Sequence, residues 1–123
     1  MMKFFKEEEK DAPQINFDFE NNQFSIIGKS FPEDSRAYYE PFLAWLEGVQ
    51  PKAKELTIEM KLEYISSSSV IAFKKIFNAM EKWLDKGVQI TVNWHYEADD
   101  EDLFNLGQRF EQSSRLKFNF IQH

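Results

Sequence analysis

Four consecutive serines, Ser66 to Ser69, stand in the stretch EYISSSSVIAF, and farther along His95 precedes the acidic run EADDED. Serine, histidine and carboxylate are the side chains of a hydrolytic triad, in which the base takes the serine proton and the acid orients the base. Ser67 or Ser68 with His95 and one of Asp99 to Asp102 supplies the types but not the setting, because no Gly-x-Ser-x-Gly turn surrounds the serine. The alternation of the strand that carries His95 also turns that side chain to the polar face of a sheet. As a metal centre the acidic run is no stronger: it lacks the central glycine of a calcium loop, and clustered carboxylates opening a helix serve its dipole. Cysteine is absent, which excludes disulfides, thiolate metal sites and thiol nucleophiles. The chain therefore reads as non-enzymatic, with no catalytic residue, no metal site and no cofactor.

What remains for the serines is capping or modification. Serine is a preferred N-cap because its oxygen accepts a backbone N–H that has no partner inside the helix, but one serine suffices for that. A phosphate at a helix start meets free N–H groups and the positive end of the helix dipole, so the fold tolerates it while the surface changes. Ser67 is the expected acceptor, with Ser66 and Ser68 as adjacent candidates.

The elements that must position these residues are legible from periodicity. LTIEMKLEY sets Leu56, Ile58, Met60, Leu62 and Tyr64 against Thr57, Glu59, Lys61 and Glu63, and VQITVNWHY sets Val88, Ile90, Val92, Trp94 and Tyr96 against Gln89, Thr91, Asn93 and His95. Period two predicts half-buried strands, with Glu59, Lys61, Thr91 and Asn93 facing solvent. INFDF and LKFNF repeat the pattern more briefly, and Asn21-Asn22 before QFSIIG predicts a hairpin. Between strands, Val70, Phe73, Phe77, Met80 and Leu84 mark a helix over Ser67 to Lys86, ended by Gly87. A second helix runs from about Ser35 to Glu47, with Pro41 predicting a kink or a start in two pieces, and a third begins near Asp99. Trp45, Trp83 and Trp94 fall on apolar stripes and read as core.

The order β-β-α-β-α-β-α-β implies crossovers and parallel pairing, and the polar strand faces leave one side of the sheet free of helices. A mixed five-stranded sheet with helices on one face resembles the sulfate-transporter and anti-sigma-antagonist (STAS) fold. Residues 1–12, MMKFFKEEEKDA, read as a flexible tail and residues 13–123 as one STAS-like regulatory domain. With 15 basic against 21 acidic residues, a net charge of −6 repels nucleic acid and anionic lipid, and no apolar run is long enough for a signal peptide or a membrane span. These features, with the missing cysteine, suit a cytoplasmic protein.

Several segments together resemble the SiaC family of bacterial regulatory phosphoproteins, across roughly Phe24 to Phe118. IIGKSFPEDS is similar to that family's Gly-x-Ser-Tyr/Phe-Pro-Glu-Asn segment, YYEPFLAWLE to its aromatic-x-Pro-x-x-x-Trp-Leu helix, and VNWHYEADDEDLFNLG to its Trp-x-Tyr strand and acidic helix start. EYISSSS occupies the place of its Tyr-x-Asn-Thr-Ser-Ser segment, so that the family's phosphoacceptor Thr falls on Ser67 and its Asn on Ser66. Ile71 stands where the family often has Lys. The resemblance implies a circuit in which a serine/threonine protein kinase modifies the protein and a PP2C-like phosphatase reverses it. It further implies that the unmodified form binds an effector, in the family's better-known form a diguanylate cyclase. Ile71 and Lys75, turned to solvent from the helix that starts at the serines, are the expected partner surface. A plain protein-interaction domain without a phosphate switch is the alternative.

Overall fold

Alternation along the two longest strands decides the layering. The computed structural model describes residues 2–123, and in it β4 (Glu55–Ile65) buries Leu56, Ile58, Met60 and Leu62 while β5 (Gln89–Tyr96) buries Ile90, Val92 and Trp94. The intervening side chains Thr57, Glu59, Lys61, Thr91 and Asn93 are exposed or half-exposed on the opposite face, as period two requires. The chain runs β1 (Lys3–Lys6), β2 (Gln14–Asp18), β3 (Gln23–Ser30), α1 (Ser35–Gly48), β4, α2 (Ser67–Leu84), β5, α3 (Glu101–Gln112) and β6 (Lys117–Gln122). The strands lie in sequence order in one sheet; β1, β2 and β3 pair antiparallel, and β3 to β6 pair parallel. Parallel neighbours joined in order by crossovers of one hand must carry all their helices on one face. The aromatic contacts agree: Phe42 of α1 meets Phe17 of β2, Phe77 of α2 meets Phe118 of β6, and Phe110 of α3 meets Trp94 of β5.

Four expectations need correction. The sheet has six strands, not five, because residues 3–6 of the supposed tail pair with β2 in the register Phe4↔Phe17. The segment is short and its ends are charged, but Phe4 packs its ring 5.0 Å from Phe42, so residues 3–6 belong to the folded domain. Tyr64 does not share the inward face of β4. A one-residue bulge at Glu63 shifts the pairing from Gly28↔Leu62 to Lys29↔Tyr64, and the extra residue turns Tyr64 outward, where it is 55% exposed. Gly28, at φ +129°, supplies the backbone that this irregularity needs. Pro41 does not divide α1, which is one helix; Tyr39 and Phe42, both buried, anchor it on either side of the proline. Trp83 and Trp94 are core, but Trp45 is only half-buried.

Local chemistry closes the elements. Asp18 accepts hydrogen bonds from the backbone of Glu20 and Asn21, and Asn22 takes φ 54°, which turns the chain between β2 and β3 as the paired asparagines predict. α2 stops at Leu84, three residues before Gly87, whose φ of +88° no β-carbon favours. α3 is drawn close to the sheet at Gly107, where a β-carbon would lie 2.5 Å from Trp94 Nε1, and that nitrogen donates to the Leu103 carbonyl at 3.0 Å.

Candidate functional site

The junction between β4 and α2 divides its serines between two tasks. Ser66 is the N-cap, accepting from the Ser69 backbone N–H at 3.2 Å, and Ser67 is the first residue of α2. Ser67 and Ser68 are exposed; Ser69 is fully buried. Ser69 lies one turn before Phe73 on the inward stripe, so its hydroxyl enters the core and must find partners there. It finds them on β3 and α1: Ser30, at an inward position of β3, donates to Ser69 at 2.7 Å, and Ser35, opening α1, lies 3.2 Å away. Ser66 also donates to Ser69, at 3.0 Å.

Counting protons orients the whole cluster, because each hydroxyl carries one hydrogen and two lone pairs. Ser30 and Ser66 both donate to Ser69, so Ser69 must donate to Ser35. Ser35 then donates to Ser68 at 2.9 Å, and Ser68 to Ser66 at 3.3 Å, closing a ring. Tyr39, fully buried, feeds the ring by donating to Ser30 at 2.6 Å. Burial pushes the Tyr39 hydroxyl well above an ordinary phenol, so it stays a donor throughout the physiological range. Ser67 stands outside this arrangement: among the described residues no side chain bonds to its hydroxyl, and it opens instead on a cleft of about 340 Å³ shared with Val70, Asp100, Asp102, Leu106 and Arg109.

Electrostatically α2 differs from its neighbours. Asp34 caps α1, Asp100 caps α3 with Glu101 and Asp102 in its first turn, whereas α2 has a neutral cap and no acid in its first turn. Its positive end is therefore uncompensated by any carboxylate of its own first turn. One turn along from Ser67, Ile71 is 61% exposed, the most exposed of the large apolar side chains described, and Lys75 follows it in solvent. Phe31 and Tyr64, both exposed, pack edge-to-face at 5.9 Å beside the junction.

The triad does not assemble. His95 Nε2 bonds Glu59 at 2.7 Å and Nδ1 bonds His123 Nε2 at 2.7 Å, both on the helix-free face, so neither ring nitrogen is directed at a serine. Asp100 is occupied at the start of α3, where it accepts from the Leu103 N–H at 3.0 Å, and Glu101 and Asp102 lie in the first turn of that helix. Partial burial works to raise the pKa of Glu59, but the hydrogen bonds from His95 and Asn93 outweigh it and hold the carboxylate below its ordinary range.

Sequence reasoning placed Ser66, Ser67, Ser68, Ile71 and Lys75 correctly on the surface or at the cap, but missed Ser30, Ser35, Tyr39 and Ser69 as one unit. Two signals were present. Ser30 occupies an inward position after Phe24 and Ile26, and Ser69 occupies an inward position before Phe73; a hydroxyl at either must be satisfied inside the fold.

Fold and junction together define a class: a single α/β domain whose mixed sheet carries three helices and which exposes a serine, Ser67, at the start of one of them. No helix among the described residues is long and apolar enough to cross a membrane. The model of the SiaC family of regulatory phosphoproteins matches residues 6–123, and the chain belongs to that family. An uncharacterized protein of Pseudomonas aeruginosa (strain UCBPP-PA14) is 24% identical over 115 residues, covering 93% of this chain and 91% of that one. SiaC of Pseudomonas aeruginosa superposes with a TM-score of 0.85 at 22% identity, each chain covered completely. The structure of the diguanylate cyclase SiaD in complex with its activator SiaC, from the same organism, gives 0.85 at 23% identity over 98% of this chain and 99% of the matched one. At such identity these structures speak for the fold.

Proposed function

We propose that this domain is a non-enzymatic, cytoplasmic signalling switch, phosphorylated on Ser67 and binding an effector protein only when unmodified. A serine/threonine protein kinase adds the phosphate, a PP2C-like phosphatase removes it, and the effector is of the diguanylate cyclase class. The observation that carries the reading is the Ser67 hydroxyl, exposed at the start of α2 and bonded to no side chain among the described residues, at the helix start that lacks a carboxylate. The STAS-like assignment of the fold belongs to the same reading, supported by a parallel β3–β6 sheet with its helices on one side.

The mechanism follows from charge. Phosphorylation brings about −1.5 to −2 charges to Ser67. Asp100 and Asp102 share its cleft, so the added dianion faces carboxylates as well as Arg109. A partner seated on Ile71 and Lys75 would have to desolvate that dianion at its rim, which costs several kcal/mol when no cation accompanies it. Binding therefore belongs to the unmodified form. Calorimetry with the host's diguanylate cyclase should show Ser67→Ala retaining affinity and Ser67→Asp and the phosphorylated protein losing it, with circular dichroism unchanged in all three. Equal affinity for phosphorylated and unmodified protein would overturn the switch and leave a plain interaction domain.

A further inference from the structure

We infer that Ser35 is a specificity-determining residue for modification at this junction: by holding Ser68 in the hydroxyl ring it confines phosphoryl transfer to Ser67. The inference rests on Ser67 being the phosphoacceptor. Ser67 and Ser68 are adjacent and both exposed, so access alone does not choose between them.

The chemistry does. In transfer from a nucleoside triphosphate the serine oxygen forms a bond to the terminal phosphorus, the bond to the departing nucleoside diphosphate breaks, and the hydroxyl proton passes to the kinase's base. The attacking oxygen needs a free lone pair, and its proton must be reachable by that base. Ser67 meets both conditions, since no side chain among the described residues bonds to its hydroxyl. Ser68 keeps one lone pair free but fails the second condition, and its other lone pair is held. Its oxygen accepts the Ser35 proton at 2.9 Å, and its own proton points to Ser66 at 3.3 Å. Esterifying Ser68 would remove that proton from the ring and weaken the oxygen as an acceptor, stranding the hydroxyl of Ser35, which is 3% exposed. Ser69 is sealed, at 0% exposure, and Ser66 is committed to the Ser69 N–H and hydroxyl. Ser35 reaches Ser68 only because α1 and α2 begin side by side, so a residue of one helix edits the reactivity of the next.

The test is site-resolved phosphate mapping by tandem mass spectrometry on full-length protein expressed in its own host. Wild type should carry phosphate on Ser67 with Ser68 a minor fraction. Ser35→Ala frees the Ser68 oxygen and should raise the Ser68:Ser67 ratio about tenfold, the factor that one ordinary hydrogen bond is worth, while Ser35→Thr keeps the hydroxyl and should restore the wild-type ratio. A role in stability alone would lower total phosphate without moving the ratio. Should Ser35→Ala not fold, Ser66→Gly releases the Ser68 proton at little cost to the cap and should shift the ratio the same way. An unchanged ratio in the folded variant, or wild type modified equally on both serines, overturns the inference and leaves the switch standing. Wild type with no phosphate on any of these serines overturns both.

Discussion

Replacing Ser69 by alanine is the sharpest test of the idea that the serine run is half structure and half surface. The Ser69 oxygen accepts from Ser30 at 2.7 Å and from Ser66 at 3.0 Å and donates to Ser35. Ser66 is half-exposed and can turn to water. Ser30 cannot, because it is fully buried and its other side-chain partner among the described residues, Tyr39, is as buried as itself; reversing that bond merely moves the orphaned proton from one to the other. One buried hydroxyl left unsatisfied costs about 1–3 kcal/mol, and the disturbed bonds to Ser66 and Ser35 bring the expected loss to about 2–3 kcal/mol. Ser67→Ala, which removes no side-chain bond among the described residues, should stay within about 0.5 kcal/mol of wild type. Urea unfolding followed by tryptophan fluorescence, with Trp83 and Trp94 buried as reporters, measures both as shifts in midpoint at constant slope. If Ser69→Ala also stays within about 0.5 kcal/mol, or Ser67→Ala falls as far, the hydroxyl ring is not what holds the junction.

Phe4→Ala should lower stability by about 2 kcal/mol, less than a full core truncation because the ring is only half-buried against Phe42 and Trp45; an unchanged melting temperature would return residues 3–6 to the status of a tail. Glu59, with its folded pKa lowered, contributes stability that is present above its ordinary value of 4.5 and is lost as pH falls through the lower folded value. The stability difference between wild type and Glu59→Gln should therefore shrink as pH falls through and below 4.5, and a difference that stays constant on acidification would contradict the pairing with His95.

The period-two strands and the three helices were legible because their signal is a burial pattern repeated over eight residues or more. β1 was not, since KFFK gives one alternation and no turn residue, and only the edge offered by β2 makes it a strand. Tyr64 fits the alternation of its own segment and fails at a bulge whose evidence, Gly28, lies on the neighbouring strand. The exposed half of the site could be read one helix at a time, because solvent exposure depends on one helix's periodicity. Its buried half required knowing that Ser30, Ser35 and Ser69 converge, which is a fact about three elements at once.

Strand order in this sheet also bears on how the chain is assembled during synthesis. Each strand docks on the one made just before it, so nothing synthesised late must be threaded between earlier pieces. Every member of the hydroxyl ring lies between Ser30 and Ser69, together with the donor Tyr39, so the ring closes among residues made before β5, α3 and β6 exist. Hydrogen-exchange pulse labelling should then find the first turn of α2 protected no later than α3, and every residue of the hydroxyl ring is already made in a chain stalled beyond α2, while the final two strands and the last helix are still to come.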